Sequence, residues 1–277
     1  MSNKTEILTN CLQQKVTVFS DDHISKHIKK YGLHEKEKLD VFNAILSRFS
    51  APVVLDIGAN IGNHALAFST TAGHVHAFEP IPDIHRLLEE NINQNEIGNI
   101  NAYMLALSDS AGSDTIYMVS DGNLGMSSFD KRESASEPVT VNKYTGDQFL
   151  IDNNINKVDF IKIDVEAHEY FVIKGLFKTI EEQRPIITLE WNDVVATDRF
   201  NDTEEFRFLQ ENYLAFAVGI NHDRTYWRNK PLSWLKRKFT RLFLPRKGVI
   251  YDFNPAWNYD NVLFIPKGRE SLMDGLV

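Results

Sequence analysis

Asp56, Gly58, Asn60, Gly62 and Glu79 combine residue type and spacing in a way that points to a bound ligand. The first four lie in Val54-Leu55-Asp56-Ile57-Gly58-Ala59-Asn60-Ile61-Gly62, where an apolar run breaks into a glycine turn and a helical pattern follows. Glycine lets a backbone approach a ligand without a Cβ clash. A helix start offers free N–H groups to a carboxylate or phosphate. Glu79 closes the next apolar run, where a carboxylate is placed to accept hydrogen bonds from both hydroxyls of a ribose. A dinucleotide fingerprint starting at Gly58 needs glycine at positions 60 and 63, and this chain has Asn60 and Asn63. That disfavours a pyrophosphate and hence an NAD-dependent oxidoreductase, as does the negative charge of Asp56. An acidic residue there suits a cationic group, such as the ammonium of S-adenosylmethionine.

A second constellation follows two later apolar runs. Asp164, Glu166 and His168 come after Asp159–Ile163, and Glu190 and Asn192 come after Pro185–Leu189. In an open parallel sheet, ligands collect beyond the carboxyl ends of the strands. Asp164, His168 and Glu190 are therefore the candidate catalytic groups, with Asp164 also placed to touch the cofactor. His168 titrates close to neutral pH and suits a general base; the alternative is a solvent-facing histidine at a helix start. Glu169 fits the first turn of a helix, where its charge complements the dipole. Asp164, Glu190 and Asn192 could offer oxygen ligands to a divalent metal such as magnesium, but that reading is not the favoured one.

The elements that must position these groups alternate. Strands are expected at Val53–Ile57, His74–Phe78, Ile100–Leu105, Asp159–Ile163, Pro185–Leu189, Tyr213–Val218 and Val262–Ile265, with helices between them. Strands alternating with helices imply an α/β fold with a mostly parallel, seven-stranded sheet covered on both faces. Residues 1–50 are expected to form a helical N-terminal extension that shapes the substrate site. The remainder, 51–277, is expected to be one domain with insertions at about 108–144 and 221–260.

VLDIGANIGNH, HAFEP, ALSD, DFIKIDVEAHE and the closing NVLFIP resemble the FkbM-type methyltransferases. The match runs from about Pro52 to Asn192 and resumes at Asn261. The resemblance implies a Rossmann-like class I methyltransferase fold, S-adenosyl-L-methionine as cofactor, and O-methylation of a hydroxyl on a sugar, glycan or related metabolite. It implies cofactor roles for Asp56, Gly58, Asn60, Gly62 and Glu79, and places Ala106, Leu107 and Ser108 against the adenine. One departure is Ala167, where the family commonly has glycine; it is expected to tighten the floor of the site. A different class of reading is a non-catalytic module that keeps the cofactor and has lost the chemistry.

The chain has 277 residues, 43% hydrophobic and 25% charged, enough for a core that needs no disulfide. A single cysteine, a polar N-terminus and the lack of a long apolar run lead to the expectation of a cytoplasmic protein. The net charge of −8 argues against nucleic acid as a partner, yet Arg228 to Lys247 carries eight Lys or Arg and no Asp or Glu. Within it, Leu232 to Leu244 draws as a helix with Leu235, Phe239 and Leu242 on one face and Arg237, Lys238 and Arg241 on another. Such a segment suits peripheral contact with an anionic membrane; the alternative is a surface helix packing its apolar stripe on the domain.

Overall fold

A computed structural model describes residues 4–20, 22–119, 135–191, 200, 203–223, 226, 228, 230 and 233–276. Two strands, β1 (Thr5–Thr9) and β2 (Lys15–Phe19), precede helices α1 (His23–Tyr31) and α2 (Lys36–Leu46). Then follow β3 (Val53–Ile57), α3 (Asn63–Ser69), β4 (His74–Phe78), α4 (Pro82–Asn93) and β5 (Ile100–Tyr103). The short β6 (Ala106–Ser108), β7 (Gly112–Val119) and β8 (Ala135–Thr145) lead through α5 (Gly146–Asp152) to β9 (Phe160–Ile163). Helices α6 (Glu169–Gly175) and α7 (Phe177–Gln183) precede β10 (Ile186–Trp191) and α8 (Glu204–Asn212). The chain finishes with β11 (Tyr213–Ile220), α9 (Ser233–Phe243), β12 (Gly248–Asp252) and β13 (Tyr259–Pro266).

The main sheet has eight strands in the order β12-β11-β13-β10-β9-β3-β4-β5. From β10 to β5 neighbours are parallel; β13, β11 and β12 continue antiparallel. Seven strands lie where the sequence pattern puts them. The eighth, β12, comes from inside the 221–260 insertion. Side chains of the central strands alternate between two cores: Leu55, Ile57, Ile161 and Ile163 pack under α6, while Val54 and Phe160 pack on α2 and α3 with Phe42 and Phe68. Burial on both faces is why these strands read as unbroken apolar runs.

The chain lays β4 and β5 to one side of β3, then returns to place β9 and β10 on the other. The β3–β9 seam is thus the switch point at which an open sheet leaves a crevice. The Asp56–Gly62 segment and Asp164 leave the sheet at that seam.

The N-terminal extension is not wholly helical. Val16, Thr17, Val18 and Phe19 are β-formers, and Asn10 turns the chain by accepting from the N–H groups of Leu12 and Gln14 at 2.9 and 3.0 Å. The β2 edge is clipped to the domain by buried Asn91, which accepts from Thr17 N (2.6 Å) and donates to the carbonyls of Thr17 (3.1 Å) and Ile61 (2.8 Å). Val16 and Val18 then pack with Ile61, Ile81 and Ile84. The expected third strand ends at Tyr103; Ala106–Ser108 leaves the main sheet and pairs in parallel with β8 beside β7.

Candidate active site

Asp56 is the last polar group before the turn and is fully buried. Its Oδ1 lies 3.1 Å from Nζ of Lys162, a residue of β9 that is itself buried. The same ammonium donates to the Gly58 carbonyl at 2.8 Å and lies 3.5 Å from Asp164 Oδ2. Burial works against the Lys162 charge, but Asp56 and Asp164 outweigh it and raise its pKa above the ordinary value. Asp56 therefore faces a lysine of its own chain, not the cavity where a ligand ammonium would reach it. Gly58 has φ +76°, and a Cβ there would lie 1.9 Å from the Asp164 carbonyl oxygen. Only glycine lets the turn pass this close to the end of β9.

Glu79 stands at the end of β4 against the same turn. Its Oε2 accepts from Asn60 N at 3.0 Å and its Oε1 from Ile81 N at 2.9 Å. Burial pushes its carboxyl up to about 7, against the pull of those two N–H groups. Each oxygen keeps one lone pair for a further donor. In front of it opens a cavity of about 100 Å³, lined by Gly58, Asn60, Glu79 and Asp164 on its polar side and by Phe78, Ile81, Leu105 and Ile116 among its apolar walls. Apolar walls with a few convergent polar groups are the composition of a small-molecule or cofactor site. Ala106 and Leu107 line it as the resemblance implies; Ser108 does not. Gly62, with φ +93° and Leu88 close behind it, shapes the helix start and lies outside the lining.

The segment after β9 is strained. Glu166 and Ala167 both have positive φ, at +51° and +72°. A glycine at position 167 would relieve that backbone conformation, so the alanine stores strain in the loop. Glu169 folds back to accept from Ala167 N (3.3 Å) and Val165 N (3.4 Å). Burial raises its carboxyl to about 7, so it is more than a charge set on a helix dipole. His168 is buried and points into the first cavity, with Nε2 3.0 Å from Ser108 Oγ. Ser108 thus meets the imidazole from outside the cavity lining.

A second cavity, of about 370 Å³, opens on the other side of the turn. It shares Gly58, Asn60, Asp164 and Glu166 with the first. Glu190, Lys162, His64 and Asn261 join its lining, with His34 and Glu35 supplied by the N-terminal extension. Asn63, which occupies the position of the missing glycine, donates to the His34 carbonyl at 3.0 Å and accepts from His34 N at 3.3 Å. It ties the extension to the turn. His64 Nε2 lies 3.3 Å from Glu35 Oε2. Burial tends to raise the Glu35 pKa, but Lys38 and His64 outweigh it and hold the carboxyl well below its ordinary value.

The structure therefore gathers Asp164 and Glu190 at the second cavity, and Gly58, Asn60, Glu79, Ala106, Leu107, Asp164 and His168 at the first. Asn192 lies outside the described residues. The sequence reading missed Lys162, Asn63, His64 and Glu35. Lys162 alone carried a signal: a charge in the middle of the apolar run Phe160–Ile163 must find a buried partner.

The methyltransferase FkbM domain family matches this chain over residues 56–222. The hexuronic acid methyltransferase AglP of Haloferax volcanii is 31% identical over 149 residues, 53% of this chain and 60% of that protein. The chain thus spans somewhat less than two thirds of that curated relative. Among solved structures, a methyltransferase FkbM from Methylobacillus flagellatus KT aligns with TM-score 0.46 at 15% identity, over 78% of this chain and 44% of that one. A SAM-dependent O-methyltransferase from Thermotoga maritima aligns with TM-score 0.42 at 13% identity, over 95% of this chain and 77% of that one.

Replacing Lys162 by methionine leaves Asp56 charged and buried without its cation, so Lys162→Met is expected to lose about 3–5 kcal/mol of stability in denaturant unfolding. Adding Asp56→Asn to that variant is expected to recover part of the loss. Wild-type stability in the single mutant would show that the pair does not hold the turn.

Proposed function

This chain belongs to the FkbM methyltransferase family, and from that premise we propose that it transfers a methyl group from S-adenosylmethionine to a hydroxyl of a sugar or glycan. The observation that carries the reading is the pair of cavities meeting at Gly58, Asn60, Asp164 and Glu166. One is largely apolar with a carboxylate for a ribose; the other is lined by polar groups suited to a hydroxylated acceptor. A donor in the first and an acceptor in the second meet only at that junction.

The residues divide the work accordingly. Glu79 takes the two ribose hydroxyls on its remaining lone pairs, and Phe78, Ile81, Leu105 and Leu107 flank the adenine. When bound, S-adenosylmethionine supplies an electrophilic methyl carbon on a sulfonium. Asp164, at the junction, orients the acceptor hydroxyl with Glu190. The hydroxyl proton passes to the His64 imidazole, which Glu35 holds in place. The oxygen–carbon bond forms as the carbon–sulfur bond breaks, and the electron pair stays on sulfur as a neutral thioether. His168, held by Ser108 on the donor side, positions the donor in this scheme. No divalent ion is required at Asp164 and Glu190, because the Lys162 ammonium already stands beside Asp164.

Relatedness to a hexuronic acid methyltransferase supports a sugar acceptor. Its N-terminal wall would come from the extension, which makes residues 1–50 a substrate element.

A ribose diol donates both hydroxyls most strongly to an ionised carboxylate, because protonation turns one oxygen into a donor. Binding S-adenosylhomocysteine to Glu79 therefore releases a proton, and affinity is expected to rise with pH up to about 7 and then level off. The slope should approach about tenfold per pH unit below that point. Calorimetry should show Glu79→Gln binding more weakly and without this pH dependence. Equal affinity at pH 5.5 and 8 in the wild type would remove Glu79 from the site.

In steady-state assays with the acceptor, His64→Ala and Asp164→Asn are each expected to lower kcat by about 10²–10⁴ while donor affinity stays near wild type. His168→Ala should raise the donor KM and spare kcat. Donor binding without methyl transfer to any glycan in the wild type would instead support the non-catalytic reading.

We further propose that α9 contacts an anionic membrane surface. Trp234 and Leu242 are 65% and 66% exposed, and Leu235, Phe239 and Leu244 are also exposed. The helix meets the body at buried Thr240 and turns its apolar stripe outward, beside Lys236, Lys238 and Arg241. No described helix is long and apolar enough to cross a membrane. Vesicles containing anionic lipid are expected to float the protein at low salt and release it at high salt, while Leu242→Glu stays unbound. Failure of the wild type to float at low salt would dismiss membrane contact.

A further inference from the structure

Across the second cavity from the sheet lies a group of side chains that methyl transfer does not use. His23 and His27 are one helical turn apart on α1, and His34 follows in the connection to α2. One nitrogen of each imidazole lies within 4.8 Å of the others. His27 Nδ1 and His34 Nδ1 are 3.1 Å apart, and the His23 ring centroid is 4.2 Å from that of His27 and 5.2 Å from that of His34.

We propose that His23, His27 and His34 form a binding site for a divalent cation of the imidazole-preferring class, with Zn²⁺ as its representative. Two imidazole nitrogens on a tetrahedral ion at 2.0–2.1 Å stand about 3.3 Å apart, close to the spacing already present between His27 and His34. The i, i+4 pair on one helix face with a third ligand from a following loop is a standard way of presenting three imidazoles to one ion.

The electrostatic surroundings choose a cation over an anion. The cavity beside the cluster is lined by the carboxylates of Glu35, Glu37, Asp223 and Asp260 and by the cations Lys38 and Arg246. Lys38 pairs with Glu35 and Asp260, and Arg246 pairs with Glu37 at 2.7 Å, which leaves the wall net negative. Asn63 clamps the His34 backbone from both sides and so fixes the third ligand.

His23 and His34 also line the second cavity. An ion held here would pin α1 to the His34–Glu35 connection and set the position of the chamber wall that carries Glu35. The site does not depend on the methyl-donor reading, and its test does not use methyl transfer.

The full-length protein, freed of any affinity tag and dialysed against chelator, is titrated with Zn²⁺ and separately with Co²⁺. One ion per chain is expected, with the intense visible absorption of four- or five-coordinate cobalt. Affinity should fall at least about a hundredfold in His27→Ala and in His34→Ala. His23 is exposed on the first turn of α1, so His23→Gln serves as the variant that keeps the fold; Zn²⁺ should raise the unfolding midpoint of the wild type by several degrees and that of His23→Gln much less. Absence of saturable uptake, or uptake unchanged by loss of His34, would overturn the proposal. Stabilisation by a carboxylate such as glucuronate, without metal and lost in the same variants, would also overturn it by making the cluster an anion site.

Discussion

One ammonium buried at the centre of the sheet organises both cavities. Lys162 reaches Asp56, the Gly58 carbonyl and Asp164 from a single position on β9, and so joins the two strands on either side of the switch point. Charges this deep are costly to desolvate and persist only with partners close by. The consequence is rigidity where rigidity matters: the Gly58 turn cannot move relative to the end of β9 without uncovering a charge. In the proposed function a donor and an acceptor lie on opposite sides of that turn, and catalysis by orientation depends on such a fixed floor.

From this floor the rest of the site is built outward on more adaptable parts. The apolar cavity in front of Glu79 is walled by the third-strand exit and by β7, while the polar cavity is walled by the N-terminal extension. Strain at Glu166 and Ala167 marks the loop between them, and Glu169 holds that loop from below with a carboxyl that burial keeps partly protonated near neutral pH. In the proposed function the donor side is thus made from the sheet and the acceptor side from the N-terminal extension.

The parallel strands and the glycine turn were legible in the sequence because burial on both faces and close backbone approach each demand particular residue types. Glu79 was legible for the same reason, being a carboxylate in register at a strand end. Asp56 was legible as an acid suited to a cation, which the sequence pattern assigned to a ligand ammonium; strand pairing between β3 and β9 instead brings Lys162 from more than a hundred positions away. Asn63 looked like a missing glycine and is in fact the clamp on His34. The hairpin at residues 5–19 was hidden among helical expectations for residues 1–50, and β12 lay inside a segment whose charge drew attention to α9 instead. His168 faces the donor cavity because Ser108, from a separate small sheet, turns it there.

A crystal structure with S-adenosylhomocysteine bound would test the central claim most directly. The account predicts both ribose hydroxyls on the Glu79 carboxylate, the adenine among Phe78, Ile81 and Leu107, and Lys162 still seated on Asp56. A ligand whose ammonium displaces Lys162 from Asp56, or whose ribose lies away from Glu79, would contradict it.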